Sequence, residues 1–114
     1  MAEAAQLVFA TFPDLETARR IVRSLVEEHL AACGNLIPAV ESIYRWQGAI
    51  EHGNEVIAIL KTENHRYEAL ERRLKELHPY DVPECITVKI VDGLPEYLRW
   101  LTESVVPPRA KAVS

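Results

Sequence analysis

The residues best suited to metal chemistry lie together in one short segment. Between positions 78 and 85 the chain reads His-Pro-Tyr-Asp-Val-Pro-Glu-Cys, which brings together an imidazole, two prolines, carboxylates and a thiol. The imidazole of His78 is able to bind a metal ion, and the segment delivers a carboxylate and a thiol to the start of a strand. An alternative stays open. His78 would cap the preceding helix, where an imidazolium is stabilised by about 0.3–1 kcal/mol, and Cys85 would be a small buried hydrophobe.

The other reactive residue types form no recognisable site. His29 lies at a helix end and Cys33 in the next element, so their spacing is not a closed zinc ligand set. No serine follows a glycine elbow, neither cysteine carries an activating motif, and the four glycines form no phosphate loop. We therefore predict that the chain is not an enzyme.

Composition narrows the class of protein and its partners. The chain has 114 residues, with 17 acidic side chains against 13 Lys and Arg and a net charge of -4. The length fits one globular domain, assigned to residues 1–106, followed by a loose tail at 107–114. Because there is no basic block and no long apolar run, we expect neither nucleic acid nor a membrane as a partner. Two cysteines and the lack of a signal-like segment favour the cytoplasm.

Hydrophobic periodicity predicts the elements that position these residues. Strands are expected over about 7–12, 35–46, 54–62 and 85–91, with a turn at Gln47-Gly48. A first helix begins after an Asp14 cap and is expected to stop at Gly34, and a second begins at an Asn64 cap and stops at Pro79. A short last helix covers about 94–105. This order predicts an α+β, ferredoxin-like βαββαβ fold, with helices on one face of an antiparallel sheet and a short C-terminal helix.

The predicted topology has consequences for the cysteines and for the sheet. Right-handed crossovers give the strand order second, third, first, fourth, which puts Cys33 and Cys85 on opposite edges, too far apart for a disulfide. The second and third strands are apolar on both faces, whereas a sheet with one wet face should alternate. Since helices cover only one face, we infer that the other meets another copy of the chain. Half-exposed aromatic side chains at a hairpin tip are the simpler alternative.

The chain resembles the CutA divalent-cation tolerance family over about residues 6–104. The resemblance is carried by short blocks in a fixed order: Thr11 with Pro13-Asp14, residues 30–38, residues 42–48, residues 59–62, His78-Pro79-Tyr80 with Pro83-Glu84, and residues 96–101. It implies a ferredoxin-like subunit in a homotrimer and a role in tolerance of copper and other divalent cations. It also implies kinship with the PII signalling trimers, which bind small effectors in clefts between subunits.

The resemblance also implies a copper site, which this chain matches only in part. Copper-binding members place a cysteine near the end of the first strand and two histidines before Pro-Tyr. Here Ala10 and Leu77 occupy two of those positions, and His78 alone matches. Because the first strand ends beside the start of the fourth, Cys85 is the thiol that lies nearest the vacated position. The predicted metal residues are thus His78 and Cys85, with copper or another divalent cation as the ion.

A second predicted site combines residues that an oligomer would bring together. Lys61 lies on an otherwise apolar strand, and Trp46, Glu84, Tyr97 and Trp100 could converge on it in a cleft between subunits. Lys61 would either pair with Glu84 of a neighbour or hold an anionic ligand. Two functions follow: a metal-responsive homotrimer that binds ions weakly, or an effector-binding trimer in which metal is incidental.

Overall fold

The computed structural model describes residues 4–107, so positions 108–114 of the predicted tail lie outside the described residues. The elements are, in order, β1 (Ala5–Phe12), α1 (Leu15–Glu27), β2 (Cys33–Trp46), β3 (Ala49–Glu63), α2 (Asn64–Leu77), β4 (Cys85–Lys89) and α3 (Pro95–Ser104). The predicted α+β class and the order of strands and helices are confirmed.

The sheet has the predicted strand order, β2-β3-β1-β4, and all three pairings are antiparallel. In β1, Ala10 lies opposite Ala58 of β3 on one side and Cys85 of β4 on the other. Both cysteines are free, and they begin opposite edge strands, as the topology predicted.

Helix α1 begins as predicted and ends earlier than predicted. The Asp14 carboxylate accepts a hydrogen bond of 2.7 Å from the backbone N–H of Thr17, which satisfies a donor at the helix start. The helix stops at Glu27, and His29 adopts a left-handed backbone with φ 61°. Gly34, the predicted stop, lies instead within β2. A Cβ there would come within 2.5 Å of Val22 Cγ1, so this glycine allows close packing of helix on sheet.

Two further boundaries differ from the prediction. Asn64 is the first residue of α2 and not its cap, because Glu63 holds the cap position with no side-chain cap bond. Strand β3 begins at Ala49 and not near Asn54. Gln47 and Gly48 both have positive φ, 50° and 83°, which is typical of a type I′ hairpin turn. Such a turn lets the strands pair at once, even through polar residues.

The main core lies between the sheet and the helices α1 and α2. Val8, Ala10 and Phe12 of β1 face Leu25 of α1 and Leu74 of α2, and all five are fully buried. Helix α3 packs on the opposite face of the sheet, where Leu98, Leu101 and Val105 bury Ala5 and Ala32. The expectation that all helices share one face is therefore wrong, since α3 covers one end of the other face.

Most of that second face is not covered by any other element of residues 4–107. We call it the open face. It carries the alternate side chains of β1, β3 and β4 together with Ile37 of β2: Leu7, Phe9, Ile57, Ile59, Ile86 and Val88. Ile86 is 54% exposed, and Ile37 and Val88 are also exposed. Several adjacent exposed apolar side chains form a surface of the kind that mediates protein association.

The β2–β3 hairpin extends beyond the rest of the sheet. Within β3, only residues 56–63 pair with β1, so residues 49–55 pair with β2 alone. We call this two-stranded extension the arm. A register shift lies between Ile37 and Val40 of β2, where Ala39 has φ 60°. A bulge of this kind bends a strand and increases its twist, so it sets the direction of the arm.

Candidate functional site

His78 is a buried residue whose two ring nitrogens are both engaged. It follows the last residue of α2 and is 8% exposed. The backbone N–H of Tyr80 donates to Nδ1 at 3.1 Å, which leaves the ring proton on Nε2. Nε2 lies 2.7 Å from the carbonyl oxygen of Thr11 and donates to it. The ring also stacks on Phe12 at a centroid distance of 4.9 Å.

These contacts favour a neutral imidazole. Burial lowers the pKa of His78 below its ordinary value, against smaller opposing effects of the Thr11 carbonyl and the Glu55 charge. A neutral ring in this tautomer offers no lone pair to a metal, because its only lone pair already accepts the Tyr80 hydrogen bond. The ring therefore joins the end of β1 to the loop after α2.

Cys85 is also engaged on the side facing the helices. Its thiol lies 3.7 Å from the hydroxyl of Tyr67, which also donates to the Cys85 carbonyl oxygen at 3.2 Å. Burial raises the pKa of the Cys85 thiol; the Tyr67 hydrogen bond opposes this effect, and the nearby Glu71 and Glu84 charges add to it. A thiol kept protonated is a poor metal ligand, because metals bind the thiolate.

Each of the two predicted metal residues is already engaged by other groups in this subunit. His78 contacts Tyr80 and Thr11, and the Cys85 thiol contacts Tyr67. Among residues 4–107 no group of three or more His, Cys, Asp and Glu side chains is arranged to hold a metal ion. Soft ligation of copper would require His78 to release one of its two hydrogen bonds.

A cavity of about 610 Å³ opens beside the His78 loop, at the end of the open face nearest the arm. We call it the acidic cavity. Its walls include three carboxylates, Glu55, Asp81 and Glu84, and three aromatic rings, Tyr44, Trp46 and Tyr80. Among residues 4–107, no lysine, arginine or histidine lines it. The ion pairs formed among residues 4–107 involve none of its three carboxylates.

Hydrogen bonding and charge within the acidic cavity are coupled. The hydroxyl of Tyr80 donates to Glu55 at 2.8 Å, and burial together with this carboxylate raises the pKa of Tyr80, so the phenol remains a donor. Burial raises the pKa of Glu84, and the Glu55 charge adds to it. Lys75 lies near the rim, where its ammonium donates at 2.6 Å to the backbone carbonyl of Asp81. The cavity therefore holds negative charge that no side chain on its walls neutralises, within the part of the chain that the structure describes.

The structure divides the predicted cleft residues between two places. Trp46 and Glu84 line the acidic cavity. Lys61 lies near the other end of the open face, where it donates at 2.7 Å to Asn35 and sits 5.9 Å from the centre of the Tyr97 ring. Trp100 joins this second group through Tyr97, with ring centres 5.3 Å apart. Within one subunit, Lys61 and Glu84 belong to separate groups.

The Lys61 group also contains a thiol. Cys33 lies directly opposite Lys61 in the β2–β3 pairing, and its sulfur is 3.8 Å from the Tyr97 hydroxyl. Burial raises the pKa of Tyr97, with Cys33 adding to it and Lys61 opposing it. These contacts tie α3 to the sheet and satisfy Lys61 without a carboxylate partner.

Of the ten residues that line the acidic cavity, the predicted cleft included only Trp46 and Glu84, so it missed the carboxylates and rings of Tyr44, Glu55, Tyr80 and Asp81 among others. The sequence did contain a clue to Glu55, because a charged residue at the edge of an apolar strand is unusual enough to suggest a functional role. Its meaning depends on Tyr80, which is 25 residues away in the chain and bonds to it across the fold.

Comparisons with known proteins identify relatives over nearly the whole domain. Residues 6–104 match the family model described as CutA1 divalent ion tolerance protein. The chain is 46% identical over 99 residues to a Thermus thermophilus protein named divalent-cation tolerance protein CutA, covering 87% of this chain and 96% of that one. A Pyrococcus horikoshii protein of the same name is 47% identical over 97 residues, covering 85% and 94%.

A solved structure agrees with these sequence matches. The crystal structure of CutA from Xylella fastidiosa superimposes with a TM-score of 0.88 at 45% identity, covering 90% of this chain and 99% of that one. Within residues 4–107 no helix has the length and apolar character required to cross a bilayer.

Proposed function

The chain belongs to the CutA1 divalent ion tolerance family, and on that premise we propose that it responds to divalent metal ions, binds them weakly and acts as a homotrimer in the cytoplasm. The family is described by tolerance of cations and not by a reaction, so we propose a role without catalysis. The alternative of an effector trimer in which metal is incidental is not favoured, because the family description refers to tolerance of divalent ions.

The observation that carries the cation-binding proposal is the group of three carboxylates in the acidic cavity, none of which forms an ion pair within residues 4–107 of its own subunit. Glu55, Asp81 and Glu84 supply carboxylate oxygens, which are ligands for hard divalent cations. A recess lined by one sign of charge raises the local concentration of the opposite ion. These carboxylates do not form a closed coordination shell. They therefore bind divalent ions weakly and with only modest selectivity among them.

The proposal includes copper among the divalent ions. Copper binding can be tested separately at the acidic cavity and at the predicted pair of His78 and Cys85. The acidic cavity offers oxygen ligands, whereas the predicted His78 and Cys85 offer softer ones behind existing hydrogen bonds. Binding at the second place would displace the Tyr80 or Thr11 contact of the ring. We therefore propose the carboxylates as the first ligands that a divalent ion meets.

The trimer proposal is supported by the open face and the arm. Isoleucine and valine side chains on the face and aromatic side chains on the arm are exposed, and none of the helices between residues 4 and 107 covers them. In such an assembly Lys61 of one subunit and Glu84 of the next would approach each other, as the sequence suggested, either as an ion pair or around a small ligand in the cleft.

Calorimetric titration of the protein with Cu(II) and with Mn(II) tests the metal proposal. We expect weak binding by the wild type, and a marked loss of Mn(II) binding in Glu55→Gln/Glu84→Gln. The matched control is Glu68→Gln, which removes an exposed charge on α2. Cu(II) binding that disappears in Cys85→Ala and persists in the double variant would move the copper site to His78 and Cys85. No heat with either ion in the wild type would contradict the proposal.

A further inference from the structure

Helix α3 is joined to the sheet near its C-terminal end by a buried carboxylate. Glu63 is the last residue of β3, and its side chain is only 5% exposed. Its Oε2 accepts a hydrogen bond from the hydroxyl of Thr102 in α3. Its Oε1 lies 2.9 Å from Nε2 of His65 in the first turn of α2. We call Glu63, His65 and Thr102 the latch, because one carboxylate connects three elements.

The cationic partner of Glu63 in this structure is a histidine. Among the ion pairs formed within residues 4–107, Glu63 takes part only in the one with His65. A buried carboxylate is costly unless a positive charge or hydrogen bonds compensate it. The side chain of His65 is 48% exposed, so its ring exchanges protons with solvent near neutral pH. The pH of the solvent therefore decides whether Glu63 has a charged partner.

The other charged groups of the neighbouring elements make contacts of their own. The Lys61 ammonium, on the same face of β3, donates to an asparagine side chain of β2. The Arg66 guanidinium donates to backbone carbonyls that follow α1. Ala5, the residue of β1 that pairs with Glu63, carries no charge, and Glu103 of α3 is exposed. The charge balance of the latch therefore depends on His65.

A second histidine acts on α3 in the same direction. Nδ1 of His29 lies 3.3 Å from the carbonyl oxygen of Ser104, the last residue of the helix. Because a carbonyl oxygen only accepts, the ring donates this hydrogen bond. The C-terminus of a helix favours an imidazolium over a neutral ring, so protonation of His29 also holds α3 in place.

We propose that α3 is a proton-dependent strap, held on the sheet by the latch while His65 is protonated and loosened when His65 loses its proton. With His65 charged, the pair is neutral overall and Glu63 remains buried as the acceptor of Thr102. With His65 neutral, hydrogen bonds alone compensate the carboxylate, so states in which α3 lifts and water reaches Glu63 become more populated. The latch is therefore strongest below about pH 6.5 and weakens as pH rises through the range of histidine titration.

Release of the strap would change the second face of the sheet. Leu98 and Leu101 would leave Ala5 and Ala32, which they now bury, and the apolar surface beside the open face would increase. The inference goes beyond the proposed metal response, and it requires neither a bound ion nor contact between subunits.

Hydrogen exchange of the full-length protein in its native assembly tests the strap. Deuterium uptake of α3 is compared at about pH 5.5 and about pH 8, with labelling times scaled for the pH dependence of chemical exchange. We expect α3 to open about fivefold more often at the higher pH, because hydrogen bonds with charged partners are stronger. Strand β1, in the middle of the sheet, is the internal reference and should not show this rise. Protonation of the buried His78 weakens the fold on acidification, so it cannot produce the same pattern.

Variants then locate the group that responds. Glu63→Gln keeps the size and hydrogen bonding of the side chain but removes its charge. We expect opening of α3 to become nearly independent of pH in this variant and in His65→Gln, whereas a merely structural role would raise opening equally at both pH values. His52→Gln, an exposed histidine in the arm, is the matched control and should keep the wild-type change. If Glu63→Gln does not fold, His65→Gln decides the proposal, since it alters a half-exposed side chain.

Four results would overturn the inference. One is opening of wild-type α3 that is equal at the two pH values or greater at the acidic one. The second is an equal rise in β1, which would show that the whole fold opens. The third is an unchanged rise in both Glu63→Gln and His65→Gln. The fourth is a rise that His29→Gln alone abolishes, which would place the responding proton at the end of the helix and not in the latch.

Discussion

The chemistry of His78 is decided by its two neighbours and not by its own ligand capacity. The Tyr80 N–H fixes the tautomer, and the Thr11 carbonyl accepts the remaining ring proton. The imidazole thereby satisfies a backbone donor and a backbone acceptor on two parts of the chain that are far apart in sequence. We interpret it as a structural connector of β1 and the loop after α2.

This arrangement predicts how stability depends on pH. Because burial lowers the pKa of His78 in the folded state, the unfolded state binds more protons near the ordinary value of 6.5. The contribution of His78 is therefore fully present above pH 6.5 and is lost as pH falls through the lower, folded-state pKa. We expect the urea midpoint of the wild type to be lower at about pH 5 than at about pH 8.

His78→Gln tests the assignment, since it cannot be protonated in this range. We expect a lower midpoint at pH 8 and a smaller fall toward pH 5. The control is His52→Gln, an exposed histidine in the arm, which should keep the wild-type profile. If His78→Gln retains the full pH dependence, another group is responsible.

For individual residues, the sequence predicted which chemical groups are present but not which groups they bond to. Asp14 was identified as a cap because its partner lies three residues away. The partner of His78 lies 67 residues away and is a backbone carbonyl, which no side-chain pattern indicates. Similarly, Glu55 and Tyr80 could not be joined into one site before the fold brought them together.

At the scale of elements, Gly34 determines how closely α1 approaches the sheet. A methyl group at this position would lie 2.5 Å from Val22 Cγ1 and 2.8 Å from Leu60 Cδ2. We expect Gly34→Ala to lower the free energy of unfolding by about 1–3 kcal/mol, as is usual for overpacking. Equilibrium unfolding in guanidinium chloride measures this change.

Gly53 offers a matched control in the adjacent strand. An added Cβ there has no heavy atom within 4 Å. We expect Gly53→Ala to leave stability unchanged or to raise it by up to about 1 kcal/mol through the unfolded state. Equal destabilisation by both substitutions would show that close packing at Gly34 is not the cause.

Element types were predictable because burial periodicity is strong in this chain, while some boundaries were not. Gly34 resembles a helix stop, but its role comes from contact between α1 and β2. The first part of β3 contains Glu51, His52 and Asn54, which suggest a loop in isolation. The left-handed turn at Gln47-Gly48 fixes the pairing there, and pairing prevails over the local polar composition.

At the scale of the whole molecule, the open face predicts the consequence of introducing a charge. If copies of the chain meet through this face, Ile86→Lys would bury an unpaired ammonium group at a cost of several kcal/mol. We expect the assembly to dissociate to smaller species, measured by size-exclusion chromatography with light scattering. Glu68→Lys on the solvated face of α2 is the control and should not change the mass.

If Ile86→Lys leaves the mass of the assembly unchanged, the open face is not part of the interface.

The sequence indicated a two-sided apolar sheet correctly, but it did not show that α3 covers one end of the second face. That placement depends on the contacts of Leu98 and Leu101 with Ala5 and Ala32, which are remote in sequence.

The arm has one further consequence, for hydrogen exchange. Residues 49–55 of β3 have a single neighbouring strand, whereas residues 57–61 have two. A two-stranded ribbon is at best marginally stable alone, so its backbone amides should open to solvent more often than those beside β1. Within one continuous strand, deuterium uptake should therefore change abruptly near Val56, and diluting the protein should steepen that change if neighbouring copies protect the arm.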